Sequence, residues 1–99
     1  MNIYQKCEEY LYNFNSFQGI ALNEDISNLE RRSATKSIKK IQNAFNSLSD
    51  AEKQLIYYRY FNSMSYAQLE HMTGVGETTL MKQNKDTISR ISSILFEGM

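Results

Sequence analysis

Proline and tryptophan are absent from this chain of 99 residues, and glycine and cysteine are scarce, at four and one. Proline breaks helices by removing an N–H and clashing with the preceding turn, and glycine weakens them through backbone entropy. Their rarity predicts an all-α fold. A single cysteine excludes an intrachain disulfide, so a reducing cytoplasm is the expected setting. No charge of one sign prevails: 11 basic and 11 acidic residues leave a formal net charge of zero. Many DNA-binding domains are clearly basic, because neutralising phosphates drives non-specific affinity. Any contact with nucleic acid here must come from locally clustered charge or from a dimer. Long apolar runs are missing too, so no membrane segment is expected, and the first residues show no secretory h-region.

What remains is an ordinary apolar share of 41%, with seven Tyr and five Phe supplying much of the volume for a core. The length suits one domain over 1–99, helical over 1–47 and differently patterned over 48–99. In 2–18, Ile3, Cys7, Tyr10, Leu11, Phe14 and Phe17 recur at spacings of three and four. This predicts a helix stopped by Gly19, its stripe used for core packing or as a dimer seam. Cys7 lies on the stripe and reads as a small buried hydrophobe. After a loop at 19–25, a second helix is predicted over 25–47, with Ile26, Leu29, Ala34, Ile38, Ile41 and Phe45 at helical spacing, leading to Leu48. Arg31, Arg32, Lys36, Lys39 and Lys40 fall on it with no acid between residues 31 and 40, the one strong charge run in the chain. Such a run is either a solvated face, a phosphate-contacting surface, or a dock for an acidic partner.

The second half carries sharper punctuation. Ser49 with Glu52, and Ser65 with Gln68, are capping boxes that open helices over 49–61 and from 65. Thr73-Gly74-Val75-Gly76 interrupts the second of these. A third helix begins at about Glu77 and runs to about Phe96, with Gly76 as its N-cap. A short helix, a turn holding Gly74 and a longer helix make the outline of a helix-turn-helix, sealed by Leu69, Val75 and Leu80. An ordinary antiparallel helix pair has the same outline. The predicted core is Ile38, Ile41, Phe45, Leu55, Ile56, Tyr60, Leu69, Val75, Leu80, Ile88, Ile91 and Leu95.

Residues 48–80, LSDAEKQLIYYRYFNSMSYAQLEHMTGVGETTL, resemble region four of bacterial sigma factors. The resemblance is carried by Leu48, Glu52, Arg59-Tyr60-Phe61, Ser65-Tyr66, Leu69 and Gly74-Val75. The continuation TTLMKQNKDTISRISSILFEG is similar to small phage transcriptional regulators of the ArpU type. Glu70 stands where that pattern places a small residue, and Thr73 where it places an apolar one. The resemblance implies a small all-α domain of four to five helices ending in a sigma-region-four-like helix-turn-helix. It implies a phage or prophage transcriptional regulator of the late-gene activator type, with double-stranded DNA and RNA polymerase as partners.

In a helix-turn-helix the second helix enters the major groove and its first turns reach base edges. The helix over 77–90 therefore supplies Glu77, Thr78, Met81, Lys82, Gln83 and Lys85, with Asn84 close by. Gln and Asn pair with adenine, Lys with guanine, Glu with the cytosine amino group, and Met or Thr meets a thymine methyl. Lys85 and Arg90 suit phosphates further along, and Arg31, Arg32, Lys36, Lys39 and Lys40 suit a backbone clamp. A homodimer, through the aromatic stripe or the last helix, would double the phosphate contacts. No catalytic constellation, cofactor or metal site is expected. His71 is the only histidine, and no nucleophile stands at a useful spacing from a base. The competing expectation is a sigma-like interaction module that grips RNA polymerase or another regulator instead of DNA.

Overall fold

The computed structural model describes residues 2–96, and these form six α-helices, one π-helical turn and no strand. The α-helices are α1 (Ile3–Tyr12), α2 (Phe14–Leu22), α3 (Asn28–Asn46), α4 (Asp50–Ile56), α5 (Tyr66–Thr73) and α6 (Glu77–Leu95), and α4 continues into a π-helical turn at Tyr57–Phe61. Both capping boxes predicted from the sequence are formed. Glu52 N–H donates to Ser49 Oγ at 3.3 Å while Ser49 N–H donates to Glu52 Oε1 at 3.0 Å. Ser65 and Gln68 repeat the exchange at 3.1 and 2.8 Å. Asn2 and Gln5 make a third box at the start of α1. Each box satisfies two backbone donors that a helix start otherwise orphans.

Four expectations about the first half need correction. The single helix over 2–18 is two helices, divided at Asn13, whose ψ of 3° ends α1. Gly19 does not stop a helix but sits within α2, and the connecting loop is 23–27. The expected helix over 25–47 starts later, at Asn28, where the Ser27 hydroxyl accepts from Glu30 N–H. Leu29, expected to face inward, is 79% exposed. The helix over 49–61 also changes character at Tyr57. There the wider π-helical turn distributes four aromatic side chains around the axis. Tyr58 packs with Leu55 and Leu69, Tyr60 is buried with Ile41 and Ile88, and Phe61 stacks on Phe14 with ring centroids 4.6 Å apart. Asn15 Nδ2 donates to the Phe61 carbonyl at 3.1 Å, which satisfies a group at the end of the turn.

The apolar residues gather in two clusters. The larger joins Cys7 and Leu11 of α1, Ile41 and Ala44 of α3, Leu48, Ile56, Tyr60, and Ile88, Ile91 and Leu95 of α6. The smaller joins Leu55, Leu69 and Leu80, with Val75 and Met64 against it. Of the predicted core only Ile38, Phe45 and Val75 are half-buried, and the rest are buried. α6 runs through both clusters, so its first turns are fixed by α4 and α5 and its last turns by α1 and α3. Cys7, Tyr10, Leu11, Phe14 and Phe17 of the aromatic stripe pack into or against the larger cluster, and Ile3 is exposed. Cys7 is buried within it, and burial first, then the nearby Glu8 carboxylate, pushes the thiol up to about 11.

Gly74 closes α5 at φ 75°, in the left-handed region, and its N–H donates to the Glu70 carbonyl at 2.8 Å. Thr73, where the sigma-like pattern has an apolar residue, uses its hydroxyl instead. It donates to the Leu69 carbonyl at 2.7 Å and accepts from Val75 N–H at 3.2 Å, bridging the turn. Glu70 is exposed, so its carboxylate stays in water. A Cβ at position 74 would meet nothing within 4 Å. The cost of Gly74→Ala is therefore one of backbone conformation alone, about 1–2 kcal/mol. Urea unfolding should show this loss for Gly74→Ala and a smaller one for Gly74→Asn, since Asn tolerates the left-handed region.

Candidate nucleic-acid interface

α6 advances about 100° per residue, so burial sorts its side chains by face. Leu80, Asn84, Thr87, Ile88 and Ile91 are buried; Thr78, Lys82, Lys85, Asp86 and Ser89 point outward and are exposed. Glu77, Met81 and Gln83 are exposed as well, so all six sequence-predicted positions of this helix reach solvent. They do not share one direction. Gln83 leans toward α4, lining a shallow depression with Glu52 and Leu55. Met81 and Lys85 lean the other way, toward a groove edged by Asn2, Tyr4, Glu8, Arg59 and Tyr66. Thr78 and Lys82 occupy the crest between. Gly76 caps the helix with no side-chain acceptor, which leaves the first-turn N–H groups of 77–79 to solvent or to a ligand.

Two candidates behave differently from the sequence expectation. Asn84 is fully buried and not a reader of bases. Its Nδ2 donates to the Tyr60 hydroxyl at 2.6 Å and to the Tyr4 hydroxyl at 3.1 Å, and Tyr60 donates onward to Glu8 Oε2 at 2.8 Å. This chain of hydrogen bonds pins the middle of α6 to α1 and to the π-helical turn. Arg90, expected to serve phosphates, is ion-paired with Glu52 of α4. The same carboxylate caps Ser49 and accepts from Thr87 Oγ1, so one acid aligns α4 against α6.

The sequence did not single out Arg59 for this role. Its guanidinium lies 4.4 Å from the Tyr66 ring centroid and within 6 Å of the Tyr12 and Tyr60 rings. Nη1 donates to the Met64 carbonyl at 2.9 Å, strapping down the turn that leads into α5. Cation–π contacts of this kind are worth about 0.5–2 kcal/mol each. Its sequence signals are its place in a Tyr-Tyr-Arg-Tyr-Phe run and among the residues that carry the sigma-like resemblance.

The basic run lies elsewhere. On α3 the buried residues Ala34, Ile41 and Ala44 mark the inward side, and Arg32, Lys36, Lys39 and Lys40 are exposed on the other. Arg31 is half-buried and donates from Nε to the Ala21 carbonyl at 3.4 Å, which ties the end of α2 to α3. α3 and α6 meet in the larger cluster through Ile41, Ala44, Ile88 and Ile91. That contact lies in the second half of α3 and the later turns of α6, so the α3 cations precede it on one helix and the first turns of α6 precede it on the other. The structure thus brings Glu77, Thr78, Met81, Lys82, Gln83 and Lys85 onto one helix end, and the α3 cations form a separate group on another helix.

No helix among the described residues is long and apolar enough to cross a membrane. Comparisons with family models, with curated proteins and with solved structures give no match for this chain.

Proposed function

We propose that this chain is a sequence-specific DNA-binding transcription regulator, cytoplasmic and of phage or prophage origin, that reads the major groove with α6 over 77–90. The carrying observation is the pairing of a short capped α5 with a long α6 across residues 74–76, sealed by Leu69, Val75 and Leu80. It presents an outward face of Thr78, Lys82 and Lys85 that makes no contact with the core. A rigid helix end with unsatisfied N–H groups and polar side chains is the arrangement that enters a groove and meets phosphate. The sigma-region-four and ArpU-type resemblance of residues 48–98 supports the same reading.

One observation favours a different role. With Arg90 neutralised by Glu52, the cations left on 77–90 are Lys82 and Lys85, set against Glu77 and Asp86. That balance gives weak electrostatic steering, and it suits a module whose α6 face grips RNA polymerase or another regulator. Selection of duplexes from a random-sequence pool, followed by gel-shift titration at two salt concentrations, separates the two. A DNA binder yields an enriched sequence and loses affinity steeply with salt. Lys82→Ala should then cost about 1–3 kcal/mol on the selected site and relax preference at one base pair. A pool that stays random after repeated rounds would refute the DNA reading.

A further inference from the structure

Four of the five cations in the charge run on α3 are not used by the fold. Arg32, Lys36, Lys39 and Lys40 are exposed, and among the described residues none of them forms a salt bridge. Their repulsion is tolerated along two turns of one helix face with nothing supplied to relieve it. The face ends in apolar side chains. Leu29, on the first turn of α3, is 79% exposed, and Leu22, at the end of α2, is 81% exposed. These are the two most exposed large hydrophobic residues described. They flank the 23–27 loop at the tip of a hairpin in which α2 contributes no buried residue at all. Arg31, held on the Ala21 carbonyl, fixes the two helices of that tip to one another. The surface therefore keeps its shape with its charges and its two leucines facing water.

We propose that the outward face of α3, with Leu22 and Leu29 at its tip, docks an acidic protein segment whose own apolar residues cover the two leucines. The inference goes beyond the DNA-reading role and does not depend on it. The α3 cations stand on a different helix from the α6 residues assigned to DNA. A phosphate backbone has no use for two leucines, whereas a peptide helix with apolar residues at one end and carboxylates along the rest matches both features. A second copy of this chain fits worse, because two-fold pairing of the face sets its cations against themselves. Glu24, Asp25 and Glu30 lie near the tip and set the polarity of docking. The partner's carboxylates belong toward Lys36 and Lys40, and its apolar residues belong at the loop.

The test uses the full chain and a synthetic helical peptide of about 15 residues, long enough to span the face. It carries Leu one turn apart at one end and Glu at alternating three and four spacing along the rest. Two control peptides replace Glu by Gln, or Leu by Ser, and a random-sequence duplex is titrated in parallel. Amide chemical shifts report where each probe binds. The Glu–Leu peptide should move α3 and the 23–27 loop and leave the outward face of α6 unmoved. Replacing its Glu by Gln, or making Arg32→Glu with Lys36→Glu in the protein, should weaken it about tenfold or more. Leu22→Ser with Leu29→Ser should weaken it several-fold, and since both side chains are exposed the fold should be unaffected, as circular dichroism will show. The proposal is overturned if the peptide leaves α3 unmoved, or if the Ser-for-Leu peptide binds equally well. It is also overturned if the duplex moves α3 at lower concentration than the peptide does, for then the partner is nucleic acid. Duplex-induced shifts on α6 report separately on the DNA-reading role.

Discussion

Leu69→Ala should lower the unfolding free energy by about 2–5 kcal/mol, the range for truncating a fully buried leucine. Small domains are stable by only about 5–15 kcal/mol in total, so a large share of the margin goes with one side chain. The position is unusually exacting. Leu69 is the single buried residue of α5, and the smaller cluster has just Leu55 and Leu80 as its other buried members. With its anchor truncated, α5 is held by the Ser65 cap, the Gly74 turn and the half-buried Tyr66. Urea unfolding followed by circular dichroism reads the loss. Affinity for a selected duplex should fall as well, because α5 sets the angle at which α6 is presented. If the variant unfolds at the wild-type midpoint, Leu69 does not seal the helix pair and the assignment of the turn is wrong.

The part of the chain that α5 and α6 occupy was legible because its signals are local. A hydroxyl three residues before a carboxylate or amide, and a glycine at a reversal, work through bonds within one turn. Those at Ser49, Ser65 and Gly74 were read from spacing alone. The break at Asn13, the place of Gly19 inside α2 and the π-helical turn at Tyr57 are not legible in the sequence, because nothing within a turn of them decides their conformation. Asn13 interrupts a continuous aromatic stripe, and the π-helical turn is held by distant partners such as Asn15 on the Phe61 carbonyl. Glu52 and Arg90 belong to different helices, so their pairing was invisible to helical spacing. Asn84 is another matter. It stands four residues from both Leu80 and Ile88, an inward position by helical period, and only its polar character suggested a place on the surface.

Asn84→Asp should expose that inward position through its pH dependence. Asn84 is fully buried, donates to two tyrosine hydroxyls, and has no cation among its partners. A carboxylate in its place loses both donated bonds. It also competes with Glu8 for the one proton of the Tyr60 hydroxyl, which Glu8 now accepts at 2.8 Å. Burial and the neighbouring acid both favour the neutral form, so the new carboxyl has a folded-state pKa well above the unfolded value of about 3.9. The sign follows from proton counting. Below about pH 4 the group is protonated in both states, and the variant's deficit is limited to lost hydrogen bonds. As pH rises past that value the unfolded chain releases its proton while the folded chain retains it, so stability falls until the folded pKa is passed. At neutral pH the deficit should reach about 3–5 kcal/mol, the cost of an unpaired buried charge. Asn84→Ala serves as the reference, since it removes the same two bonds without adding an ionisable group and its deficit should not vary with pH. Urea midpoints for both variants at pH 4 and 7 decide the matter. Parallel behaviour of the two would mean that the carboxyl escapes to water, and that the middle of α6 is not held against α1 by this network.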